Sequence, residues 1–301
     1  MEPGEEVLHP DAPRHRALIV ANPIAGRGAG AKAGREMALG LQRLGVRTEL
    51  HLTDGAGDAR ARVRCMDPEC DLVVSVGGDG TLREVFDGLL DERVPVGVLP
   101  MGTANVLALD LGLPRDVDRA IEILCAGKTA EIDVARVNGH LSFLVTGVGF
   151  DGLVVRELES ARQGPITKWS WVRATLRALR DYREPRLAVE IDGERVPGKF
   201  GLCLIANVIH YGGVMRLSPE RRLDDGRFEV YLFPDAAPRR LIALAARGVV
   251  SDLARACRVT LARTVRVSSP EPVTYQVDGD FRGHTPVELQ VQDRRFRVLV
   301  P

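Results

Sequence analysis

The residues of this 301-residue chain whose types and spacing are best suited to chemistry are Gly77-Gly78-Asp79-Gly80-Thr81. They follow an apolar run and open a helical pattern. Glycines at a strand-to-helix turn let the backbone approach a ligand closely. The N–H groups of the helix start suit phosphate, and the Thr81 hydroxyl adds a contact. The Asp79 carboxylate would repel a bare phosphate, so its presence indicates a Mg²⁺ ion between the carboxylate and the phosphate. A tight turn with Asp79 as helix cap is the alternative.

Two further turns carry the same glycine signature. Leu99–Val106 (LPMGTANV) again lies between an apolar run and a helical pattern, and Asn22–Gly30 (NPIAGRGAG) follows the first apolar run. The carboxyl ends of adjacent parallel strands meet at one edge of a sheet, where ligands of open α/β sheets bind. Three glycine-marked turns at one edge therefore favour a phosphate-binding site over three plain turns.

The elements that must position these turns alternate in the first half of the chain. Short apolar runs separated by helical patterns indicate βαβ units and a parallel sheet. We expect strands at Arg16–Ala21, Val46–Leu52, Asp71–Val76 and Val94–Leu99, and helices ending near Leu44 and spanning Gly57–Cys65 and Leu82–Leu90.

The pattern changes near Lys128, after which strands dominate and indicate an antiparallel, β-rich second domain. We expect strands at about 130–137, 141–147, 186–192, 199–208, 227–233, 258–268, 272–278, 286–292 and 295–300, with helices at about 152–162, 166–183 and 238–248.

Two acidic turns lie in this second half. Asp278-Gly279-Asp280 can supply a general base and a metal-linked partner, or it can be an Asp-Gly hairpin turn. Leu217–Arg227 contains Asp224-Asp225-Gly226, which fits either a structural cation held by backbone carbonyls or a plain turn.

A basic amphipathic helix is predicted over Thr167–Arg186, where six Lys and Arg side chains alternate with apolar ones. Both tryptophans of the chain, Trp169 and Trp171, are in it. This composition suits the surface of an anionic membrane. The alternative is a helix packed on the second domain with a solvated basic face.

Composition excludes several classes of function. Lys plus Arg and Asp plus Glu both number 41, so the basic excess typical of nucleic-acid binders is missing. Five cysteines without a CxxC pair argue against a zinc or redox site, and no apolar run reaches the ~18–20 residues of a membrane span. No Walker A motif occurs, and the GxGxxG match at Gly147–Gly152 falls in the β-rich half, where a dinucleotide fingerprint is weak.

The ordered set of motifs resembles the diacylglycerol kinase catalytic-domain family, which includes soluble bacterial diacylglycerol kinases and the sphingosine and ceramide kinases. The set comprises Asn22-Pro23 with Gly26, Gly77–Thr81, Pro100–Asn105, Gly147–Asp151 and Asp278–Asp280. The resemblance runs from about Arg16 to the C-terminus. Gly77–Thr81 alone is shared with NAD kinases, so the ordered set carries the specificity.

The resemblance implies a Rossmann-like, NAD kinase-type α/β domain over residues 15–129, followed by an antiparallel β-sandwich domain over 130–293, with the strand at about 294–301 returning to the first domain. It implies transfer of a phosphoryl group from ATP to a lipid hydroxyl in the cleft between the domains. The expected partners are a lipid alcohol and a transient membrane surface; a homodimer is left open, and no nucleic acid is expected. A cytoplasmic enzyme peripherally associated with the membrane is expected.

The resemblance also implies roles for individual residues. Asp280 is the expected base, Asp278 a second catalytic carboxylate, and Asp79 acts through Mg²⁺ by way of water. A structural cation is expected at Arg222, Asp225 and Arg227, mainly on backbone carbonyls. The expected nucleotide contacts are Asn22, Thr53, Gly77, Gly78, Asp79, Gly80, Thr81, Gly102, Thr103 and Asn105.

Two positions depart from the family pattern. The usual Asn-Asp pair is here Asn105-Val106, and the usual Glu of the acidic turn is Asp280, one methylene shorter. These departures keep two alternatives open: an NAD kinase-type enzyme with a soluble substrate, and a catalytically silent regulator that binds lipid or nucleotide. Diacylglycerol, a sphingoid base and ceramide all remain open as substrates, as does the oligomeric state.

Overall fold

The computed structural model describes residues 16–161, 168–211, 215–218, 221–243 and 257–301. These residues form two compact units. Unit 1 comprises the described residues up to Gly102, together with Leu111–Ala130 and Phe296–Pro301. Unit 2 comprises Thr103–Asp110 and Glu131–Arg295. Each unit is therefore built from segments that are distant in the sequence.

The helices with complete bounds are α1 (Ala25–Gly28), α2 (Gly30–Arg43), α3 (Asp58–Arg64), α4 (Asp79–Gly88), α5 (Val106–Asp110), α6 (Val117–Ala126), α7 (Phe150–Ser160) and α8 (Lys168–Asp181). The strands are β1 (Arg16–Ala21), β2 (Arg47–Leu52), β3 (Leu72–Gly77), β4 (Val96–Pro100), β5 (Thr129–Val137), β6 (His140–Ser142), β7 (Val145–Val148), β8 (Ala188–Ile191), β9 (Glu194–Arg195), β10 (Leu202–Ala206), β11 (His210–Tyr211), β12 (Met215–Arg216), β13 (Phe228–Phe233), β14 (Arg258–Ala262), β15 (Thr264–Ser268), β16 (Thr274–Val277), β17 (Asp280–His284) and β18 (Val287–Leu299).

Unit 1 is built on a parallel sheet with strand order β2-β1-β3-β4. The central strands β1 and β3 are apolar and buried along almost their whole length, as parallel strands covered on both faces must be. The end of β18 joins beside β4, where Val298 pairs with Val96 in parallel. The predicted βαβ alternation is therefore present.

One cluster of core residues in unit 1 lies between this sheet and helices α2 and α6. Met37 of α2 and Leu124 of α6 are buried in one cluster with Ile19 of β1. The C-terminal segment belongs to this unit through an aromatic stack, in which the rings of Phe86 and Phe296 are parallel with centroids 4.5 Å apart. Both rings are fully buried, so the last strand contributes directly to the folding of the first half of the chain.

The described part of unit 2 contains two large antiparallel arrays of strands and the small two-stranded sheet of β11 and β12. One large array has strand order β14-β13-β10-β7-β16-β17, and the other includes β18-β15-β8-β9 with β5 and β6. Their inner faces share one apolar core, to which Val189 and Val265 contribute from one sheet and Ile205, Val230 and Val277 from the other. Alternation of buried and exposed residues along β18 shows how one face of a sandwich strand is apolar and the other polar.

Helices α7 and α8 form a pair within unit 2. Leu153 and Leu158 of α7 are buried against Ala174 and Ala178 of α8, whose small side chains allow the two helices to approach closely. No helix in the described ranges is both long enough and apolar enough to cross a membrane.

The predicted fold class is confirmed: a mostly parallel α/β sheet is followed by antiparallel sheets that pack as a sandwich. The single strand predicted over 258–268 was wrong, because the chain changes sheet at Arg263 and forms β14 and β15. Strand β17 was not predicted. Of the helix predicted over 238–248, residues 238–243 are helical, and those from 244 onward lie outside the described residues.

Candidate active site

The register of the parallel strands aligns their carboxyl ends. Ala21 at the end of β1 pairs with Leu52 of β2 on one side and Val76 of β3 on the other. Gly77 of β3 pairs with Pro100, the last residue of β4. The residues that immediately follow these four strands therefore leave the sheet at one edge, as the sequence predicted for the glycine-marked turns.

Asn22 and Thr53 are held at this edge by backbone hydrogen bonds that extend the ladder beyond the strands. The Thr53 N–H donates to the Ala21 carbonyl at 2.9 Å, and the Asn22 N–H donates to the Val76 carbonyl at 2.9 Å. The Asn22 Oδ1 atom accepts a bond from the N–H of Ile24 at 3.2 Å and so shapes the turn that follows. The structure therefore places Asn22 beside the end of β3 and Thr53 beside the end of β1.

The Gly77–Thr81 segment is the junction between β3 and α4. Gly78 is the residue before the helix and has extended backbone angles, and no side chain caps the helix start. Asp79 is the first helical residue and partly exposed, whereas Thr81 is buried. A ten-residue helix whose start has no side-chain cap offers backbone N–H groups and a partial positive charge to an anion.

Glycine is suited to positions 77 and 80 of this segment for different structural reasons. A Cβ at Gly77 would lie 2.5 Å from the Thr81 Oγ1 atom and 2.7 Å from its Cβ, so the fold itself excludes a side chain there. A Cβ at Gly80 would meet no atom within 4 Å. The space beside Gly80 is therefore open, and a ligand can approach the backbone at this point.

The predicted residues after β4 fall in both units. Gly102 closes a segment of unit 1, and Thr103 opens a segment of unit 2. Thr103 is exposed, whereas Asn105 is buried and has a left-handed φ of 49°. Val106 is buried as the first residue of α5, so an apolar side chain packs where the family pattern has a carboxylate.

A buried carboxylate in α5 was missed by the sequence reasoning. The side chain of Asp110 is 0% exposed and accepts hydrogen bonds from the Ile209 N–H at 2.6 Å and from the His210 Nδ1 at 2.6 Å. Burial raises the pKa of Asp110, and the bonds to His210 and Ile209 oppose that shift. Asp110 thus ties the helix after the Gly-Thr turn to β11, a contact between residues 100 apart.

Asp278 is fully engaged in holding a loop. Its carboxylate accepts bonds at 3.0 Å from the Ser142 hydroxyl and from the N–H groups of Phe143, Leu144 and Val145. Asp278 also has a left-handed φ of 50°, and it forms with Gly279 the two-residue turn between β16 and β17. The hairpin interpretation of this turn therefore describes its backbone, and Asp278 positions it.

Asp280 is the first residue of β17, directly after the turn that Asp278 shapes. Its Oδ2 atom accepts a hydrogen bond from the Arg282 guanidinium at 2.9 Å, and 42% of its side chain is exposed. Among the two carboxylates of this turn, the one at 280 is the more accessible to a substrate, since that of Asp278 is surrounded by donors.

A second buried carboxylate, Asp151, supports the same turn through Gln276. The Gln276 side-chain amide donates to the Asp151 Oδ2 atom at 2.7 Å, and its carbonyl oxygen accepts from the Gly279 N–H at 2.7 Å. Burial raises the pKa of Asp151 to about 6, and the bond from Gln276 only partly opposes this shift. The sequence singled out Asp151 only as part of a glycine motif, because its partner is 125 residues away.

The loop that is expected to hold a structural cation is built around the carboxylate of Asp225. Both oxygens of its carboxylate accept bonds from the Arg221 guanidinium, at 2.8 and 3.1 Å, and one also accepts from the Arg227 N–H at 3.0 Å. The Arg222 side chain is paired with Asp224 at 3.2 Å at the surface. No group of three His, Cys, Asp or Glu side chains suited to a metal occurs within the described ranges.

Both halves of the chain match families of known proteins. Residues 16–137 match the family described as diacylglycerol kinase catalytic domain, and residues 145–300 match the YegS C-terminal NAD kinase beta sandwich-like domain. A diacylglycerol kinase of Bacillus subtilis (strain 168) is 30% identical over 292 residues, covering 95% of this chain and 96% of the relative. The chain belongs to the diacylglycerol kinase catalytic-domain family.

Other similar proteins extend this agreement. A diacylglycerol kinase of Staphylococcus carnosus (strain TM300) is 27% identical, and each chain is 96% covered. A crystal structure of a diacylglycerol kinase from Bacillus anthracis str. Sterne superposes with a TM-score of 0.76 at 22% identity, covering 96% of this chain and 97% of that one. The structural likeness supports the fold, and the expectation of a lipid kinase enzyme is confirmed at the level of the family.

The different environments of Gly77 and Gly80 predict opposite effects of an alanine. Gly77→Ala should lower the free energy of unfolding by about 1–3 kcal/mol, because the new methyl group overlaps Thr81. Gly80→Ala should leave it unchanged or raise it by up to ~1 kcal/mol, because alanine favours a helix and its Cβ meets nothing. Urea denaturation of both variants measures this difference. Equal losses of stability would show that the space beside Gly80 is not open.

The raised pKa of Asp151 predicts a pH-dependent stability. A carboxyl with a folded pKa of about 6 and an ordinary value of 3.8 stabilises the fold fully below pH 3.8 and loses that contribution as the pH rises through 6. Asp151→Asn cannot ionise and keeps an oxygen for Gln276. The unfolding free energy of the native protein relative to this variant should therefore fall by ~1 kcal/mol between about pH 5 and about pH 7.5.

Chemical denaturation across this pH range tests the Asp151 prediction. Asp293→Asn is the matched control, since 94% of the Asp293 side chain is exposed and removing its charge should leave the pH profile nearly unchanged. A native-minus-variant difference that stays constant with pH for Asp151→Asn would contradict a raised pKa at this site.

Proposed function

We propose that this protein transfers the γ-phosphoryl group of ATP to the hydroxyl of a lipid of the diacylglycerol, sphingoid-base or ceramide type. The observation that carries the proposal is the shared edge of the unit 1 sheet, where Asn22, Thr53 and the Gly77–Thr81 segment leave parallel strands in register. Ligands of open α/β sheets bind at this edge, and the uncapped start of α4 suits a phosphate.

The residues at this edge fit a magnesium-linked nucleotide. The partly exposed Asp79 carboxylate lies at the start of α4, next to the open space beside Gly80. When bound, Mg²⁺ supplies positive charge that neutralises the phosphate oxygens and the carboxylate. We assign the phosphates to the backbone of Gly78–Thr81 and the metal to Asp79, through water. Asn22, Thr53, Gly102, Thr103 and Asn105 are assigned to the nucleotide as further contacts.

We assign the general base to Asp280. A base must exchange a proton with the substrate, which requires an accessible carboxylate. Asp280 is 42% exposed, whereas the carboxylate of Asp278 accepts four hydrogen bonds from its own loop. Asp278 is therefore a positioning residue in this proposal, and the amide of Gln276, oriented by Asp151, supports the turn from the other side.

The proposed reaction balances without any further reactant. The Asp280 carboxylate accepts the proton of the lipid hydroxyl while the hydroxyl oxygen forms a bond to the γ-phosphorus. The bond from this phosphorus to the β–γ bridging oxygen breaks, and ADP leaves with the electron pair. Phosphoryl transfer of this kind depends on positioning and charge neutralisation more than on covalent catalysis, and the proposal assigns these tasks to backbone N–H groups, Asp79 and Asp280.

The first test is a phosphorylation assay with labelled ATP, Mg²⁺ and purified lipid alcohols. We expect label transfer to a lipid, and Asp280→Asn should lower kcat by at least ~100-fold with little change in the KM for ATP, because the base acts on the other substrate. Asp293→Asn, at an exposed carboxylate, should retain activity. Transfer to NAD without any lipid would indicate the soluble-substrate alternative. Nucleotide binding without transfer to any acceptor would indicate a silent regulator.

The α8 helix provides the surface for contact with a membrane in this proposal. Its exposed face carries Trp169, Val172 and Leu176, which are 73%, 46% and 62% exposed and lie at positions i, i+3 and i+7. Exposed arginines at 173, 177 and 180 flank this stripe. An exposed apolar stripe bordered by basic side chains suits the interface of an anionic bilayer. Trp171, by contrast, packs against the cluster between α7 and α8.

Vesicle sedimentation tests this membrane contact. The double variant Trp169→Ala, Leu176→Ala should bind vesicles that contain phosphatidylglycerol at least ~10-fold more weakly, because two large apolar side chains no longer enter the interface. Leu44→Ala, which removes a 58% exposed leucine at the end of α2, is the matched control and should bind normally. Unchanged binding of the double variant would favour the alternative in which α8 is a packed helix with a solvated basic face.

Formation of a homodimer stays a prediction.

A further inference from the structure

The loop before β13 contains an arginine that is buried like a core residue. Arg221 begins the described segment 221–243, and its side chain is only 1% exposed. Long charged side chains are rarely buried unless their charge is paired. What surrounds this guanidinium therefore determines how the loop is held together.

Both terminal nitrogens of the Arg221 guanidinium donate to oxygen atoms, whereas its Nε atom is buried without a hydrogen-bond partner. Its Nη1 donates to the Asp225 Oδ2 at 2.8 Å, and its Nη2 donates to the Asp225 Oδ1 at 3.1 Å. The same Nη2 donates to the Asn207 Oδ1 at 2.5 Å and to the backbone carbonyl of Arg227. A carboxylate, an amide oxygen and a main-chain carbonyl thus converge on one positive group.

The surrounding polar groups have partners of their own. The Asn207 side-chain N–H donates to the Asp133 carbonyl at 2.9 Å, which fixes the amide so that its oxygen faces Arg221. The Asp133 carboxylate accepts from the Arg295 Nε at 2.6 Å and from the Gly226 N–H. The Arg295 Nη1 also donates to the Glu131 carboxylate at 3.2 Å, so the cluster contains three carboxylates and two guanidinium groups that are paired with one another.

These contacts do not fit the structural cation that the family resemblance implies. Of the expected ligand residues, Asp225 has both carboxylate oxygens bonded to Arg221, and the Arg227 carbonyl accepts from the same guanidinium. A divalent ion at these oxygens would need them at metal–oxygen distances of ~2.0–2.6 Å and would lie beside a permanent positive charge. The described ranges contain no alternative cluster of acidic or histidine ligands.

We infer that the guanidinium of Arg221 is the cation of this loop, and that the protein holds residues 221–228 together without a bound metal ion. The planar fork of arginine matches the two oxygens of Asp225, which gives the loop a directional contact that a spherical ion lacks. The inference concerns the stability of unit 2 and is independent of the proposed kinase reaction.

Thermal unfolding of the full chain without nucleotide tests the inference. The probes are millimolar MgCl₂, millimolar CaCl₂ and EDTA, each applied to the native protein and to Asp225→Asn. A specific ion at 100 times its Kd would raise the Tm by roughly 5 °C. We expect each metal salt and EDTA to change the Tm of the native protein by less than ~1 °C, and by no more than in the variant, because an ion held mainly on backbone carbonyls would stabilise both proteins. A shift several degrees larger in the native protein would place a metal at Asp225 and overturn the inference.

A second comparison uses adjacent arginines. Arg221→Ala leaves the oxygens of Asp225, Asn207 and Arg227 buried without their donor, so the Tm should fall by ~5–10 °C. Arg222→Ala removes a side chain that is 72% exposed and should change the Tm by less than ~2 °C. Equal Tm values for the two variants would overturn the inference. If Arg221→Ala does not fold, the metal titration of the native protein still decides the question.

Discussion

The alignment of four parallel strands is the constraint on which the candidate nucleotide site depends. Because β2, β1, β3 and β4 pair in register, the segments after them must leave the sheet at one edge, whatever their sequences. Glycines then decide what the edge can bind. Gly77 is required by the buried Thr81 beneath it, whereas Gly80 leaves open space at the start of α4. In the proposed function, phosphate binding therefore depends on strand register and on two glycines that act in different ways.

Unit 2 contains several carboxylates that accept hydrogen bonds from partners of different kinds. Asp278 is surrounded by backbone N–H groups, Asp133 faces Arg295, Asp110 faces His210, and Asp151 has a neutral partner in Gln276. Among these four, Asp151 is bonded to a neutral side-chain amide and not to a positive group or a backbone N–H, and burial raises its pKa to about 6. A carboxyl group retained in such a place orients an amide, and that amide in turn holds the turn before Asp280.

The sequence predicted what local chemistry determines and missed what long-range contacts determine. The βαβ alternation, the glycine turns and the Asp-Gly hairpin depend on neighbouring residues, and each has a recognisable local signal. The bonds of Asp110 with His210 and of Asp151 with Gln276 join residues 100 and 125 positions apart. Arg221 lies in a run of charges that looks solvated, and only the fold shows that it is buried while Arg222 is exposed.

The buried Val106 and the buried Arg221 have a common consequence for metal binding. A buried Val106 means that α5 contributes an apolar contact where the family pattern has a carboxylate, and the proposed metal contact is assigned to Asp79. In the loop before β13, a guanidinium satisfies oxygens that resemble a cation site. Val106 supplies no carboxylate, and Arg221 already donates to both oxygens of Asp225, so neither position leaves a group that requires a divalent ion. On this interpretation, dependence on Mg²⁺ arises from the nucleotide alone, and the folding of unit 2 is independent of it.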